Sequence, residues 1–171
     1  ALRRFIEIGI GSTVGAAIWS AIGLSLTVCI VTVDETVKLL TDAGCEVDGY
    51  AADISRTFPV RGTFSPAQRA VHDVVRAAQI AAIDRVRPGN AFDDIHETAC
   101  RVLTEGLIDL GLLDGTVDAN LEQQTYRRFY MHKTGHWIGL DVHDVGDYRI
   151  DGQSRQLEKN MVTTVEPALY I

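Results

Sequence analysis

The stretch Thr41-Asp42-Ala43-Gly44-Cys45-Glu46-Val47-Asp48-Gly49-Tyr50-Ala51-Ala52-Asp53-Ile54-Ser55 decides how this chain folds. Its centre, Asp48-Gly49, supplies the positive φ angles of a two-residue hairpin turn, and β-type runs flank it from Val37 to Val47 and from Tyr50 to Val60. Such a turn fixes the register, so Gly44 falls opposite Asp53 and Asp42 opposite Ser55. Asp42 and Asp53 then become diagonal neighbours on one face, with Cβ atoms about 7 Å apart or somewhat less. The other face carries Ala43, Cys45, Val47, Tyr50, Ala52 and Ile54 and reads as a core face, which leaves the acidic side to solvent or to a cavity. Two like charges at that separation repel unless a proton or a cation sits between them. A divalent metal is the simplest such cation, and oxygen ligation suits hard ions such as Mn²⁺ or Mg²⁺. Two exposed acids on an edge hairpin are the alternative that the hairpin by itself leaves open.

Working outward, Ser65-Pro66-Ala67-Gln68 combines a cap residue, a proline at the first helical position and a glutamine three residues past the cap. A helix is expected there, with Val71, Val74, Val75, Ala78, Ala81 and Ala82 at helical spacing and Pro88-Gly89 as its stop. A second helix places Phe92, Ile95, Ala99, Val102 and Leu103 on one face and ends near Gly111. Asp118 to Tyr130 is polar and expected to be helical. Met131 to His143 and Met161 to Ile171 read as strands joined by a turn-rich, charged loop. Strands, helices and strands again make an α+β domain.

Upstream, Ile8 to Val33 carries no charge and follows Arg3 and Arg4, the pattern of a membrane helix or signal segment. Its glycines (Gly9, Gly11, Gly15, Gly23) and hydroxyl residues dilute the apolar run, and Leu24 to Val33 is rich in β-branched residues. A strand is the better reading, and a membrane anchor is disfavoured. Residues 1–33 are therefore set apart as an atypical apolar segment from a domain covering 34–171.

At 171 residues one domain with a real core is expected. The 16 Lys and Arg against 23 Asp and Glu give a net charge of −7, the wrong sign for neutralising phosphates, so nucleic-acid binding is excluded as a first reading. Cys29, Cys45 and Cys100 form an odd set without CxxC spacing, which fits neither a disulfide framework nor a zinc knuckle and points to a reducing, cytoplasmic setting. The chain starts at Ala1 and stops at Ile171 inside an apolar run, and so reads as a fragment.

His132, His136 and His143 fall within one short run, and imidazole is both the commonest metal ligand and the side chain suited to proton transfer near neutral pH. An undistorted strand would send His136 and His143 to opposite faces, so a bend is required, and Gly139 is the residue expected to permit it. Glu166 lies in the apolar run Thr163-Thr164-Val165-Glu166-Pro167-Ala168-Leu169, where a carboxylate is rarely buried unless paired or metal-bound. A solvated glutamate on an edge strand is the competing reading. His72 and His96 are expected to be ordinary helix residues rather than ligands; His96 and Cys100 are four apart, but nothing nearby completes a metal site.

Four ordered motifs resemble the aminopeptidase P (Xaa-Pro aminopeptidase) family: Thr41 to Glu46, Gly49 to Pro59, His132 to Gly146, and Thr164-Val165-Glu166-Pro167. The likeness covers about residues 37–171. It implies the pita-bread fold shared with prolidase, methionine aminopeptidase and creatinase, incomplete here at the C-terminal end. It also implies two divalent metal ions, usually Mn²⁺, with Asp42 on one ion, Asp53 bridging both, and His136 and Glu166 on the other. His132 and His143 would stand on the substrate side, His143 polarising the scissile carbonyl, while Glu166 would also shuttle a proton. The implied substrate is a peptide with proline at its second position, and a homo-oligomer is compatible with the family.

Departures from the pattern bear on activity. A fifth ligand, a glutamate on a later strand, is not reached, so weak or single-metal occupancy and impaired activity are expected of this piece. A histidine usual before the first aspartate is missing, and Ala168 stands where glycine is usual. A catalytically inactive pita-bread domain acting as a binding module, and a prolidase-type dipeptidase, are the alternatives; the wording His136-Trp137-Ile138-Gly139 looks more like aminopeptidase P.

Overall fold

A computed structural model describes residues 16–21, 24–31 and 38–171, with side chains from residue 40 onward. The sheet is antiparallel: β1 (Ala16–Ala21) pairs with β2 (Leu24–Val31), which pairs along β3 (Lys38–Val47). The other edge of β3 takes the short β4 (Tyr50–Ala51) and then β5 (Ser55–Pro59). Strands thus occupy the described part of the uncharged segment from Ile8 to Val33; its remainder lies outside the described residues. No helix among the described residues is long and apolar enough to cross a membrane.

Asp48 and Gly49 both have positive φ, 52° and 85°, as the two-residue turn requires. The register follows: Val47 opposes Tyr50, Glu46 opposes Ala51, and Asp42 opposes Ser55. Between β4 and β5 the ladder is interrupted, yet Ala52 N–H still donates to the Cys45 carbonyl and Ala43 N–H to that of Ile54. Gly44 makes this possible, because a Cβ there would overlap the carbonyl oxygen of Ala52.

The assignment of faces is corrected. Val47 (66% exposed), Tyr50 (64%) and Ile54 (47%) face solvent, and Cys45 is exposed with them. The buried side is the acidic one, with the Asp53 side chain only 5% exposed. The reason is that the segment around His136 lies over that side: Ala51 N–H donates to the Gly139 carbonyl and Asp53 meets His136.

Helix α1 (Pro66–Ile83) begins as expected, Ser65 Oγ accepting from Gln68 N–H and Gln68 Oε1 accepting from Ser65 N–H. Helix α2 (Phe92–Asp109) buries Phe92, Ile95, Ala99 and Leu103, the face read from spacing. The polar stretch from Asp118 to Tyr130 resolves into α3 (Val117–Glu122) and a 3₁₀ turn over Thr125–Arg128. Two clusters form the core. One joins Ala78, Leu103, Leu107, Tyr126 and Tyr130; the other joins Ala82, Phe92, Ile95, Ala99, Trp137 and Leu157, so the helices support the histidine segment directly.

The strands expected over Met131–His143 and Met161–Ile171 are not formed. These runs are extended and antiparallel but share a single bridge, Trp137 with Thr163. A short row of backbone bonds joins them, Glu166 N–H to the Thr134 carbonyl (2.6 Å), Thr164 N–H to the His136 carbonyl (3.0 Å) and Ile138 N–H to the Val162 carbonyl (3.5 Å), while His136 N–H donates to the Thr164 hydroxyl (3.0 Å) rather than to a carbonyl. The connecting loop carries a small hairpin, β6 (Arg149–Ile150) with β7 (Gln153–Ser154).

His96, on α2, is a partly buried and hydrogen-bonded residue. Its Nδ1 lies 2.9 Å from the hydroxyl of the buried Thr134, and its Nε2 lies 3.5 Å from Cys100 Sγ. Burial, and next the nearby Lys133, pull its pKa down to about 4, with His132 and Arg127 acting in the same direction and Asp93 against.

Two outcomes follow. Gly44→Ala must push the β3–β5 crossing apart and is expected to cost about 3 kcal/mol or more in a urea unfolding titration, the upper end for overpacking against backbone. For His96, the unfolded chain binds a proton near pH 6.5 that the folded chain refuses until about pH 4. Stability is thus expected to fall as pH drops through that window, and thermal melts of His96→Phe should lose this component of the slope.

Candidate metal centre

Asp42 sits on β3 opposite Ser55, and Ser55 and Asp53 are the neighbours that act on its carboxyl. Burial raises its pKa, the Asp53 hydrogen bond and charge raise it further, and Ser55 and His136 act against. The two acids therefore do converge, and their proximity is electrostatically unfavourable in the absence of a counter-charge.

His136 closes the arrangement from the other side. Its Nδ1 lies 2.9 Å from the Trp137 carbonyl, so Nδ1 carries the proton and donates it there. Nε2 then presents a lone pair 3.3 Å from Asp53 Oδ2 and 3.1 Å from Glu166 Oε1. Neither contact has hydrogen-bond geometry, and both His136 Nε2 and Glu166 Oε1 are buried without a hydrogen-bond partner. Glu166 is held by its backbone, which donates to the Thr134 carbonyl at 2.6 Å. Asp53 from the β4–β5 connection and Glu166 from the C-terminal run thus both meet His136 Nε2, with Asp42 beside Asp53.

His143 reaches the same place. Its ring stacks on that of His136 at 3.9 Å between centroids, and ligand atoms of Asp53, His136 and His143 all lie within 4.8 Å of one another. The bend expected at Gly139 is present. Asp144 N–H donates to the Trp137 carbonyl (3.0 Å), and the Asp144 carboxylate folds back to accept from Leu140 and Val145 N–H. A Cβ on Gly139 would overlap that carboxylate, so only glycine leaves room for it.

His132 stands apart from this group. Its Nδ1 lies 2.8 Å from the Lys133 carbonyl and its Nε2 3.0 Å from the Tyr170 hydroxyl, with Tyr130 edge-on to the ring. Trp137 packs against Phe92 (4.7 Å) and stacks on Tyr148 (5.6 Å, 7° between planes), and those two rings also touch each other (4.9 Å), which fixes the residue next to His136. Sequence reading missed the Thr134–His96 contact; the four-residue spacing of His96 and Cys100 was its only trace.

The residues fit a cation. Orphaned nitrogen and oxygen acceptors beside a nearly inaccessible carboxylate are an unfavourable arrangement that a positive ion would satisfy, and the absence of thiolate favours a hard divalent ion.

The profile of metallopeptidase family M24 matches residues 25–171. A Xaa-Pro aminopeptidase of Haemophilus influenzae is 55% identical over 133 residues, 78% of this chain and 31% of that protein. In three dimensions, the Pseudomonas aeruginosa aminopeptidase PepP superposes with a TM-score of 0.79 at 50% identity, over 82% of this chain and 32% of that one. A zinc-substituted Escherichia coli aminopeptidase P, solved with product, gives a TM-score of 0.75 at 48% identity, over 79% of this chain and 30% of that one. This chain thus spans about a third of the length of such relatives. With a profile match over most of its length and half its residues identical to the aligned neighbours, the chain belongs to metallopeptidase family M24 and carries part of the pita-bread fold.

Proposed function

We propose that this chain is part of a metal-dependent Xaa-Pro aminopeptidase, with residues from 34 onward forming the catalytic part and with a peptide bearing proline at its second position as substrate. The observation that carries the reading is the pair of orphaned buried acceptors, His136 Nε2 and Glu166 Oε1, facing Asp53. The names of the relatives support the reaction, and the donor set supports the metal.

On this reading two divalent ions, Mn²⁺ for preference, are held by Asp42, Asp53, His136 and Glu166, with Asp53 shared. When bound, such ions supply Lewis acidity and bring the pKa of water towards neutrality, which makes a side-chain nucleophile unnecessary. Glu166, about a third exposed at the edge of the centre, takes the proton from the attacking water and returns it to the leaving proline nitrogen. His143, exposed and stacked on His136, donates to the scissile carbonyl oxygen as charge builds there. His132 binds the substrate, its ring oriented by Tyr170 and Lys133. Cys45 and Cys100 are free thiols, which supports a reducing, cytoplasmic setting.

A metal titration separates an enzyme from a binding module on the same fold. Mn²⁺ at about 100 times its dissociation constant is expected to stabilise the chain by about 2.7 kcal/mol, read as a rise in melting temperature that EDTA reverses. His136→Ala should abolish that rise. In the natural protein, Mn²⁺ should support release of the first residue from Xaa-Pro peptides and not from Xaa-Ala peptides, and Glu166→Gln should lower kcat at least 100-fold. Failure of the parent chain to take up Mn²⁺ would overturn the metal-centre reading.

A further inference from the structure

Between His132 and His136 the chain is held by one side chain. Thr134 is 1% exposed; its hydroxyl lies 2.7 Å from Tyr130 Oη and 2.9 Å from His96 Nδ1. Its carbonyl accepts the Glu166 N–H at 2.6 Å. One residue thereby joins the segment that presents His136, the segment that presents Glu166, and helix α2, which carries His96.

The hydrogen-bond directions can be assigned. A hydroxyl has one proton and two lone pairs, so the arrangement that uses the Thr134 proton has it accept from one close partner and donate to the other. Tyr130 is 1% exposed and burial raises the pKa of its phenol, so it keeps its proton and donates to Thr134. In that arrangement Thr134 donates to a bare His96 Nδ1, and the ring proton sits on Nε2, facing Cys100 Sγ at 3.5 Å. A neutral imidazole is what burial produces there.

We propose that His96 and Thr134 are a positioning pair, holding His136 and Glu166 at the separation in which both ligate one divalent ion. The inference rests on the metal-centre reading above. It follows from where Thr134 stands: the two ligand-bearing segments share one β-bridge and a short row of backbone bonds, Ile138 to Val162, Thr164 to His136 and Glu166 to Thr134. Thr134 closes that row beside both ligands, and its hydroxyl ties the row to α2 through His96. Without the hydroxyl, Tyr130 Oη and His96 Nδ1 are left buried and unpaired, and the segment must move to relieve them. A purely structural role would lower stability alone; a positioning role also lowers metal affinity in protein that is fully folded, as loss of outer-shell support does at metal sites.

The test is calorimetric titration of the chain with Mn²⁺, at a temperature where circular dichroism shows each variant folded. Thr134→Val is expected to weaken binding about tenfold or more, Thr134→Ser to restore it to within about threefold of the parent, and His96→Phe to match Thr134→Val. Equal affinity for parent and folded Thr134→Val overturns the inference and leaves the metal centre standing; a parent that binds no Mn²⁺ overturns both. If Thr134→Val does not fold, His96→Phe carries the comparison. Imidazole ¹⁵N spectra of the parent need no variant: a bare His96 Nδ1 at neutral pH is expected, and a protonated Nδ1 overturns the assignment.

Discussion

A nitrogen lone pair with no proton to meet organises this molecule. His136 spends its Nδ1 proton on the Trp137 carbonyl, so its Nε2 approaches Asp53 and Glu166 as a third acceptor rather than as a donor. Each buried acceptor left unpaired costs about 1–3 kcal/mol, and like charges add to that. Such an arrangement persists only where the rest of the fold holds it in place. The holding contacts are visible: Ala51 to Gly139, Thr164 to His136 and Glu166 to Thr134 all tie ligand-bearing segments by backbone groups. A positive ion at this place would relieve the acceptors together, so their mutual repulsion becomes affinity for metal.

Three kinds of constraint supply the geometry, each local. The turn at Asp48-Gly49 fixes strand parity and thereby puts Asp42 and Asp53 on the same side. The fold-back of Asp144 against Gly139 curls the chain so that His143 returns over His136. The aromatic stack of Phe92, Trp137 and Tyr148 fastens the curl to α2 through the second core cluster. None of the three is a metal ligand, yet each determines where a ligand stands.

These constraints differ in how far they can be read from sequence. Turn chemistry and helix caps act over a few residues, so the hairpin register, the Ser65 capping box and the buried face of α2 were all legible. The Gly139 bend was legible too, because strand parity forbade His136 and His143 from meeting without one. Which side of the hairpin is covered depends on a segment some eighty residues later, and alternation alone favoured the face that is exposed, with Val47, Tyr50 and Ile54. The Met131–His143 run looks like a strand by composition, but its hydrogen bonds go to the side chains of Thr163 and Thr164 as well as to backbone. Side-chain competition for backbone groups leaves no periodic signal. The contact between His96 and Thr134 was not legible for the same reason, the two lying 38 positions apart.

That polar thread raises a question of economy, since apolar residues would fill the same volume with less desolvation. Packing alone, however, tolerates small slides between neighbouring segments, whereas a hydrogen bond near 2.7 Å loses strength within a few tenths of an ångström. Where a ladder exists, its backbone bonds supply that directional restraint. Here that row of backbone bonds is short and ends at Thr134, whose hydroxyl carries the restraint on to the helix through His96. A ligand separation fixed to a fraction of an ångström therefore calls for directional groups beneath it, and the buried hydroxyl between tyrosine and histidine meets that requirement in a way that an apolar residue of equal volume does not.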